Sequence, residues 1–391
     1  MKFDFDKIID RKNTDCFKWD YNKEIFGTEN VIPLWVADMD FEVAPVIKEA
    51  IKKRAEHGIY GYTFYPESFF FALKNWLLKR FDWEIKTEWI LPIPRLESAL
   101  NIAVQTYTKP NEKILVQTPV YPPFISSVKN NNRKCVVSPL KSVGNRYEMD
   151  FEDLEKKLAN NIKMMFLCSP QNPTGRVWTE KELRRLGDLC LKNNVILVSD
   201  EIHSDFVFRN SRHYPTASLS EELQNITVSM FAPTKTFNLA GLTTSALIIP
   251  NTDLREKFQK KLLNLGIKLG NIFGITAFTT AYNFGEEWLT ELLVYLENNY
   301  RFICEYLAEN IPQIIPTEAD GTFLLWLDCR NLNLPQEKLV DFMIKGAKLG
   351  LMDGSLFGEG GEGFMRMNFG TPRKLIEKAL SQLKEAIEKL R

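Results

Sequence analysis

Short apolar runs alternate with amphipathic stretches from about residue 95 to residue 250. Short runs bounded by polar residues predict buried strands, whereas stretches with a period near 3.6 residues predict helices. The predicted strands are Ile114 to Gln117, Lys134 to Ser138, Met164 to Cys168, Val195 to Ser199, Ile226 to Phe231 and Ala246 to Ile249. Because these strands alternate with helices, we expect an α/β fold with a mostly parallel sheet between helices.

The helical patterns have recognisable ends. Thr179 and Glu182 form a capping box before an apolar stripe of helical period. After about residue 253 the pattern becomes mainly helical, with one long helix through residues 288–300. A C-terminal amphipathic helix opens at Thr371-Pro372, where the proline suits the first helical position.

These elements predict two domains, for which 391 residues leave enough room. We assign residues 46–289 to a large domain that contains the parallel sheet. Residues 1–45 and 290–391 are assigned to a smaller α+β domain, which includes a strand at Thr322 to Asp328. The glycine-rich segment 353–363 is the stretch whose composition predicts a mobile lid.

The composition narrows the class of protein. Fifty basic and 50 acidic residues cancel, so no overall charge draws the chain to nucleic acid or to an anionic membrane. Charges stand near the N-terminus where a signal peptide needs an apolar core, and the uncharged stretch Leu269 to Gly285 is better explained as a buried helix than as a membrane span. The six scattered cysteines include no C-x-x-C and indicate no metal site; we expect free thiols and a cytoplasmic protein.

A lone lysine, Lys235, stands just past the predicted strand that ends at Phe231. An ammonium in apolar surroundings must find a partner or lose its proton. Enzymes use a lysine of lowered pKa to attack carbonyls and to hold pyridoxal 5'-phosphate (PLP) as a Schiff base. Thr234, next to this lysine, is a candidate for binding the phosphate of PLP.

Two more polar segments follow predicted strands. Asn172 lies in the segment 169–175, and Asp200 and His203 follow the next strand. Ligands bind beyond the carboxyl ends of parallel strands, so we expect these residues and Lys235 in one crevice. Asp200 is suited to hold the pyridine nitrogen of PLP protonated, while Asn172 and His203 would lie near its phenolic oxygen.

Each of these residues also has an ordinary structural explanation. Asp200 would equally cap a following helix, Asn172 would form a plain turn with its proline, and His203 would be a structural histidine. Tyr121, which precedes two prolines, would either stack on the cofactor or pack beneath the proline turn. Arg366, inside an apolar strand-like run, would either grip an α-carboxylate or form a structural ion pair.

Taken together, these residues resemble the fold-type I, aspartate-aminotransferase-like superfamily of PLP enzymes. Within it they look most like the cystathionine β-lyase branch of bacterial carbon–sulfur lyases. The Met-Asp-Phe motif at 39–41 and His203 favour that branch. The matching segments are residues 36–41, 61–62, 117–124, 168–178, 199–203, 232–242 and 364–368.

The resemblance implies a role for each candidate residue and a seven-stranded sheet in the large domain. It also implies a homodimer, because Tyr62 matches a tyrosine that reaches the phosphate of the neighbouring subunit's cofactor. The implied roles are Schiff-base lysine for Lys235, pyridinium partner for Asp200, phenolic-oxygen donor for Asn172, stacking aromatic for Tyr121 and carboxylate-binding arginine for Arg366.

One turn departs from the pattern of this superfamily. Where such enzymes usually carry a glycine, two valines and a proline that opens a helix, this chain has Pro94-Arg95-Leu96-Glu97-Ser98. Backbone N–H groups for the phosphate remain at Leu96 and Glu97. A glutamate at such a helix start is unfavourable unless its side chain points away, and Arg95 is placed to offset its charge.

Three hypotheses for the function follow. The leading one is a PLP-dependent β-lyase that cleaves L-cysteine conjugates such as cystathionine by α,β-elimination to thiol, pyruvate and ammonia. The second is a class I/II aminotransferase that uses the same residues on an L-amino acid. The third, motivated by the altered turn at 94–98, is a PLP-fold protein retained for a regulatory interaction with another protein.

Overall fold

A computed structural model describes residues 2–390. The strands are β1 (Ile32–Pro33), β2 (Ile90–Ile93), β3 (Lys113–Thr118), β4 (Lys134–Pro139), β5 (Lys141–Val143), β6 (Arg146–Glu148), β7 (Ile162–Cys168), β8 (Ile196–Asp200), β9 (Thr227–Phe231), β10 (Ser245–Ile248), β11 (Ile315–Pro316), β12 (Leu324–Asp328), β13 (Leu349–Gly350), β14 (Met352–Asp353) and β15 (Phe364–Asn368). The helices are α1 (Phe17–Asp20), α2 (Asn22–Phe26), α3 (Pro45–Glu56), α4 (Glu67–Phe81), α5 (Leu96–Tyr107), α6 (Pro123–Asn130), α7 (Phe151–Leu158), α8 (Glu180–Lys192), α9 (Glu221–Ile226), α10 (Pro233–Thr236), α11 (Thr252–Asn264), α12 (Ile272–Phe284), α13 (Glu286–Asn310), α14 (Gln336–Asp341) and α15 (Arg373–Leu390).

The larger sheet has seven strands in the order β2-β10-β9-β8-β7-β3-β4. All its pairings are parallel except those of β10, which runs antiparallel to β2 and β9. Side chains alternate between two cores, so that Leu115 and Leu167 pack on one face while Val116 and Phe166 pack on the other. Burial on both faces explains the continuous apolar runs of these strands and confirms the predicted fold class.

The predicted strands are present, with ends that lie within two residues of their predicted positions. The sequence pattern missed β2, whose centre is Pro92. A proline donates no hydrogen bond to a ladder and is tolerated at the edge of a sheet, which is where β2 lies. The capping box is confirmed: the Thr179 side chain accepts from the Glu182 N–H, and the Glu182 side chain accepts in return.

A second sheet of four antiparallel strands has the order β11-β12-β15-β14 and packs beside α13 and α15. It lies within residues 290–391, whereas the seven-stranded sheet lies within residues 46–289; the exact domain boundaries stay a prediction. The uncharged stretch Leu269 to Gly285 contains α12, which is largely buried as expected. No helix within residues 2–390 combines the length and the apolarity that crossing a membrane requires.

The loop that follows β7 is tied to the second sheet. Gly175 has φ +72°, and a side chain at this position would collide with Ala319. Its carbonyl accepts from the N–H groups of Asp320 and Gly321 at 2.9 and 3.1 Å. Arg176, which is buried, adds ion pairs to Asp320 at 2.8 Å and to Glu182 at 2.7 Å. The connection between β11 and β12 and the first turn of α8 therefore both hold this loop.

Candidate active site

Three polar segments meet at the carboxyl ends of β7, β8 and β9. Asp200 is the last residue of β8 and pairs in register with Cys168 and Met230 of the flanking strands. The Asp200 carbonyl accepts from the N–H of Ser169, the first residue of the loop after β7. Lys235 lies in α10, the short helix that follows β9. The sequence prediction that these segments converge agrees with the geometry.

Lys235 is partly exposed, and its Nζ donates to the carbonyl oxygen of Ala37. Burial lowers the pKa of its amine to about 8; Arg366 lowers this pKa further, whereas Asp38 and Asp200 oppose the shift. An amine in this range is available without its proton close to neutral pH, which nucleophilic attack and proton abstraction both require.

Asp200 is nearly buried, and its Oδ1 accepts from the N–H of Ile202 at 3.1 Å. Burial raises the pKa of this carboxyl to about 6, and the neighbouring Glu201 adds to the rise, whereas the Ile202 N–H and Lys235 oppose it. The residues after Asp200 form turns and not a helix, so Asp200 caps no helix and His203 lies in a turn. The helix-cap explanation of Asp200 is therefore wrong.

Arg366 lies in the middle of β15 with 2% of its surface exposed. Its Nη1 donates to Asn172 Oδ1 at 3.1 Å and its Nη2 donates to the Trp35 carbonyl at 2.6 Å, while the guanidinium lies 5.2 Å from the centre of the Phe357 ring. The Nε is buried without a partner, and no carboxylate within residues 2–390 pairs with this arginine. The structural ion pair that was the alternative explanation of Arg366 is therefore excluded for the described residues. The uncompensated positive charge and the unpaired Nε–H of the guanidinium are available to bind an anion.

Burial lowers the pKa of Arg366 to about 10. The Tyr121 hydroxyl opposes that shift, and burial raises the pKa of this tyrosine to about 12, with further contributions from Glu97 and Asp200. The Tyr121 N–H donates to the Asn172 carbonyl at 3.1 Å. Tyr121 and Asn172 thus belong to the same cluster as Arg366 and Asp200.

His203 is buried beside the rings of Phe206 and Phe323. Burial, together with the nearby cations Lys235 and Arg366, lowers the pKa of its imidazole to about 3. The ring is therefore neutral, and its Nδ1 is buried without a hydrogen-bond partner within residues 2–390. Both readings of this histidine, structural and cofactor-facing, remain compatible with that position.

The residues expected to bind the phosphate lie at the start of α5. The helix begins at Leu96, which is buried, whereas Arg95 and Glu97 are exposed, and no side chain caps this end. The first N–H groups of a helix have no partner inside it, so Leu96 and Glu97 offer backbone donors. Thr234, the other candidate, is partly exposed beside Lys235.

Tyr62 is not part of this cluster within one chain. Its side chain is 96% exposed, and the neighbouring Thr63 pairs with Gly270 in an isolated bridge. The predicted contact with a second subunit stays a prediction.

A group of site residues that the sequence did not identify is the N-terminal strap, residues 35–41. The Trp35 carbonyl accepts from Arg366, and the Ala37 carbonyl accepts from Lys235. The strap therefore contacts both principal cations of the site through its backbone. The Val-Ala-Asp-Met-Asp-Phe motif at 36–41 is the sequence feature that marks this segment. It contributes to the family resemblance but does not predict these contacts.

Two asparagines hold the strap in place. Asn368 Nδ2 donates to the carbonyls of Val36 and Asp38, both at 2.6 Å. Asn238, three residues after Lys235, accepts from the Met39 N–H at 3.0 Å and donates to the carbonyls of Met39 and of residue 41 at 2.9 Å. The strap is thereby fixed to the strand of Arg366 and to the turn after Lys235.

The glycine-rich segment 353–363 is docked on the site through Phe357. This ring is fully buried against Trp326, and the Phe357 carbonyl accepts from the Val120 N–H at 3.0 Å. Leu356 beside it is 54% exposed. Motion of this segment as a lid stays a prediction.

The cluster fits PLP in its donors and acceptors. Arg366 Nε and His203 Nδ1 are buried without partners, and the Asp200 carboxylate makes a single hydrogen bond within the described residues. A reactive lysine, a carboxylate at a strand end and a fully buried guanidinium supply a site for the aldehyde, the pyridine nitrogen and a substrate carboxylate. Fold and site together define a PLP-dependent enzyme of the α/β class.

The chain belongs to the aminotransferase class I and II family, whose model matches residues 29–383. It is 41% identical to the cystathionine β-lyase PatB of Bacillus subtilis over 98% of this chain and 99% of that protein. Cystalysin from Treponema denticola, which contains PLP, is 35% identical with a TM-score of 0.97, and the match covers 100% of both chains. A PLP-bound putative aminotransferase from Clostridium difficile 630 is 43% identical with a TM-score of 0.97, covering 98% of this chain and 100% of that one.

Proposed function

We propose that the protein is a PLP-dependent carbon–sulfur β-lyase that cleaves L-cysteine conjugates such as cystathionine to thiol, pyruvate and ammonia. The observation that carries the proposal is the buried, carboxylate-free guanidinium of Arg366 in one cluster with Lys235 and Asp200. The 41% identity to a cystathionine β-lyase supports elimination from a cysteine conjugate as the reaction.

The residues divide the work as follows. PLP, when bound, supplies an electron-accepting ring that stabilises negative charge at the substrate's α-carbon. Lys235 Nζ is the group that would hold the cofactor aldehyde and, as a free amine, would take the α-proton. Asp200 would hold the ring nitrogen protonated, and Arg366 would bind the substrate's α-carboxylate as a fork.

Asn172 links the substrate side to the cofactor side. Because its Oδ1 accepts from Arg366, its Nδ2 remains as a donor, and this is the group that would bind the phenolic oxygen of PLP. The neutral His203 would be a second neighbour of that oxygen, and Tyr121 would stack on the ring.

The phosphate would be bound by the N–H groups of Leu96 and Glu97, by the Thr234 hydroxyl and by Tyr62 of a second copy of the chain. The homodimer that this assignment requires is supported by an exposed apolar cluster around Tyr62. Its members and their exposed fractions are Ile59 at 67%, Tyr60 at 56%, Tyr62 at 96% and Phe64 at 77%. Contiguous exposed apolar side chains are typical of protein–protein interfaces.

The proposed location is the cytoplasm. All six cysteines are free thiols, and half of them are buried. Free thiols are typical of proteins kept in a reducing compartment.

The function is tested with the purified, PLP-loaded protein and L-cystathionine. Equal amounts of pyruvate and free thiol are expected. L-Alanine is the matched control, since it carries no leaving group on its β-carbon and yields neither product. Conversion of the cofactor to its pyridoxamine form by amino acids, reversed by a keto acid and without release of thiol, would instead identify an aminotransferase.

A further inference from the structure

Asp38 and Asp40, the two carboxylates of the N-terminal strap, lie against two cations from the segment that precedes it. Arg11 donates from Nη2 to Asp38 Oδ2 and from Nη1 to Asp40 Oδ1, both at 2.7 Å. Lys18, which is fully buried, pairs with Asp40 Oδ2 at 2.6 Å. A buried lysine in such a cluster is costly unless its charge is matched, so these four residues form one unit.

The two carboxylates are matched unequally. Asp40 contacts Arg11, Lys18 and the indole N–H of Trp19, the last at 2.9 Å. Asp38 has one close partner, Arg11, and its Oδ1 is buried without a hydrogen bond, 3.9 Å from Lys18 Nζ. The charges of the cluster balance, but Asp38 is the carboxylate with fewer partners.

The docked amine lies one residue from Asp38 along the strap, because the carbonyl that accepts from Lys235 Nζ belongs to Ala37. The charged and titratable groups that face Lys235 are Asp38 from the strap, Asp200 from β8, His203 from the turn after β8 and Arg366 from β15. Burial lowers the pKa of Lys235 most, and Asp38 gives the largest opposing effect, ahead of Asp200.

We propose that the strap is the docking place of the Lys235 amine whenever this amine is not bound to the cofactor, and that Asp38 is the positioning residue that gives the docking place its negative charge. The inference rests on the proposed function only in taking Lys235 as the lysine that binds the cofactor aldehyde. When Nζ takes the α-proton, a new N–H bond forms and the electron pair of the C–H bond stays on the α-carbon. The Ala37 carbonyl and Asp38 then stabilise the ammonium.

Two substitutions in the cluster have opposite expected effects. Asp38→Asn keeps an oxygen for Arg11 but removes the charge, so the ammonium of Lys235 is less favoured. Arg11→Gln frees the charge of Asp38, so the ammonium is more favoured. Because Arg11 is partly exposed, we expect the Arg11 variant to fold, so the proposal can be tested even if the Asp38 variant does not fold.

The measured quantity is the rate at which the cofactor-free full chain reacts covalently with added PLP between pH 6 and pH 9. The reaction is followed by the visible absorbance of the product. Only the unprotonated amine attacks, so the wild-type rate rises as the pH passes the lysine pKa of about 8. For Asp38→Asn we expect the profile to move about one pH unit lower, which makes the reaction on the order of tenfold faster at pH 7. For Arg11→Gln we expect a shift to higher pH and a slower reaction at pH 7.

Glu42→Gln is the matched control, because this exposed glutamate directly follows the strap and pairs only loosely with Lys7 and Lys48, each at 3.5 Å. Its profile should match that of the wild type. In the cofactor-loaded enzyme the acid limb of kcat for elimination should move in the same directions as the covalent reaction.

Opposite shifts for the Asp38 and Arg11 variants support the proposal. Slower reaction at every pH in both variants would show a merely structural cluster and overturn it, as would unshifted profiles. A Lys235→Ala chain that reacts with PLP like the wild type would instead overturn the proposed function, so the two failures are distinguishable.

Discussion

The site has two candidate anion-binding ends, one at Arg366 and one at the start of α5, and they use different kinds of donor. At one end Arg366 offers a buried guanidinium that is oriented by Asn172, by the Trp35 carbonyl and by the Phe357 ring. At the other end α5 offers the backbone N–H groups of an exposed helix start, which no side chain caps.

The difference explains why one end is easily recognised in the sequence and the other departs from its family pattern. A buried guanidinium can come only from an arginine and needs specific hydrogen-bond partners, since a lone charge in the interior is costly. Backbone donors come with almost any residue except proline, so Leu96 and Glu97 supply them despite the unusual turn. We infer that sequence divergence is tolerated where the proposed binding uses backbone groups and not a particular side chain.

The largest expected effect comes from Lys235, the residue that is proposed to bind the cofactor between the two ends. Lys235→Ala should abolish the visible absorbance of the covalent cofactor and lower the rate of elimination by roughly 10³-fold or more, because the base is lost. Absorbance scans and a pyruvate assay measure the two effects, with the partly buried Lys163→Ala as control. An unchanged yellow spectrum in the Lys235 variant would contradict the assignment.

The buried end is tested directly by Arg366→Met. Truncating one partner of a buried charged contact costs about 2–5 kcal/mol, so we expect kcat/KM to fall about 10²- to 10³-fold, mainly through KM. Arg366→Lys should not restore it, since an ammonium cannot form the fork. Binding of PLP should change little; equal losses of cofactor and substrate affinity would show that the two ends are not separate.

Burial of the site's charges should also cost stability in the cofactor-free protein. The pKa of Asp200 is raised to about 6, so its ionised form is disfavoured in the folded state: the cost is absent below about pH 4, grows up to about pH 6 and is complete above it. Asp200→Asn should therefore raise the free energy of unfolding by about 1–3 kcal/mol at pH 7 and by little at pH 4. Denaturant unfolding at both pH values measures this, and a destabilised variant at pH 7 would contradict it.

The exposed end should respond only weakly. Glu97→Gln removes a negative charge from the phosphate-binding start of α5, and such interactions amount to about 0.3–1 kcal/mol at an exposed helix end. We expect the Kd for PLP to fall about two- to fivefold, with substrate KM unchanged. Glu152→Gln, in the first turn of α7, is the control. A fall of more than an order of magnitude would mean that this end is as finely matched as the Arg366 end.

Sequence reasoning reached the large sheet and the residues at its strand ends because both leave local signals. Buried parallel strands appear as continuous apolar runs, and Lys235 and Asp200 stand out as charges at or just past their ends. The edge strand β2 was missed because Pro92 breaks its pattern, and the alternative that Asp200 caps a helix is wrong because turns follow it.

The strap lay beyond sequence reasoning for a different reason. Its contacts with Lys235 and Arg366 use backbone carbonyls, which every residue carries, and its partners are nearly 200 and more than 300 positions away in the chain. The burial of Lys18 was equally hidden, since a charge becomes acceptable inside a protein only when its distant partners are known.

The strap comes from near the start of the chain and Arg366 from near its end, so both termini must be in place before the crevice is complete. A polypeptide interrupted before β15 would contain the strands of the seven-stranded sheet and Lys235 in its sequence but would lack the guanidinium and the anchor of Asn368. Such a fragment would contain the lysine proposed to bind the cofactor but not the arginine proposed to orient the amino-acid substrate. The proposed chemistry thus depends on residues that are translated after every strand of the seven-stranded sheet.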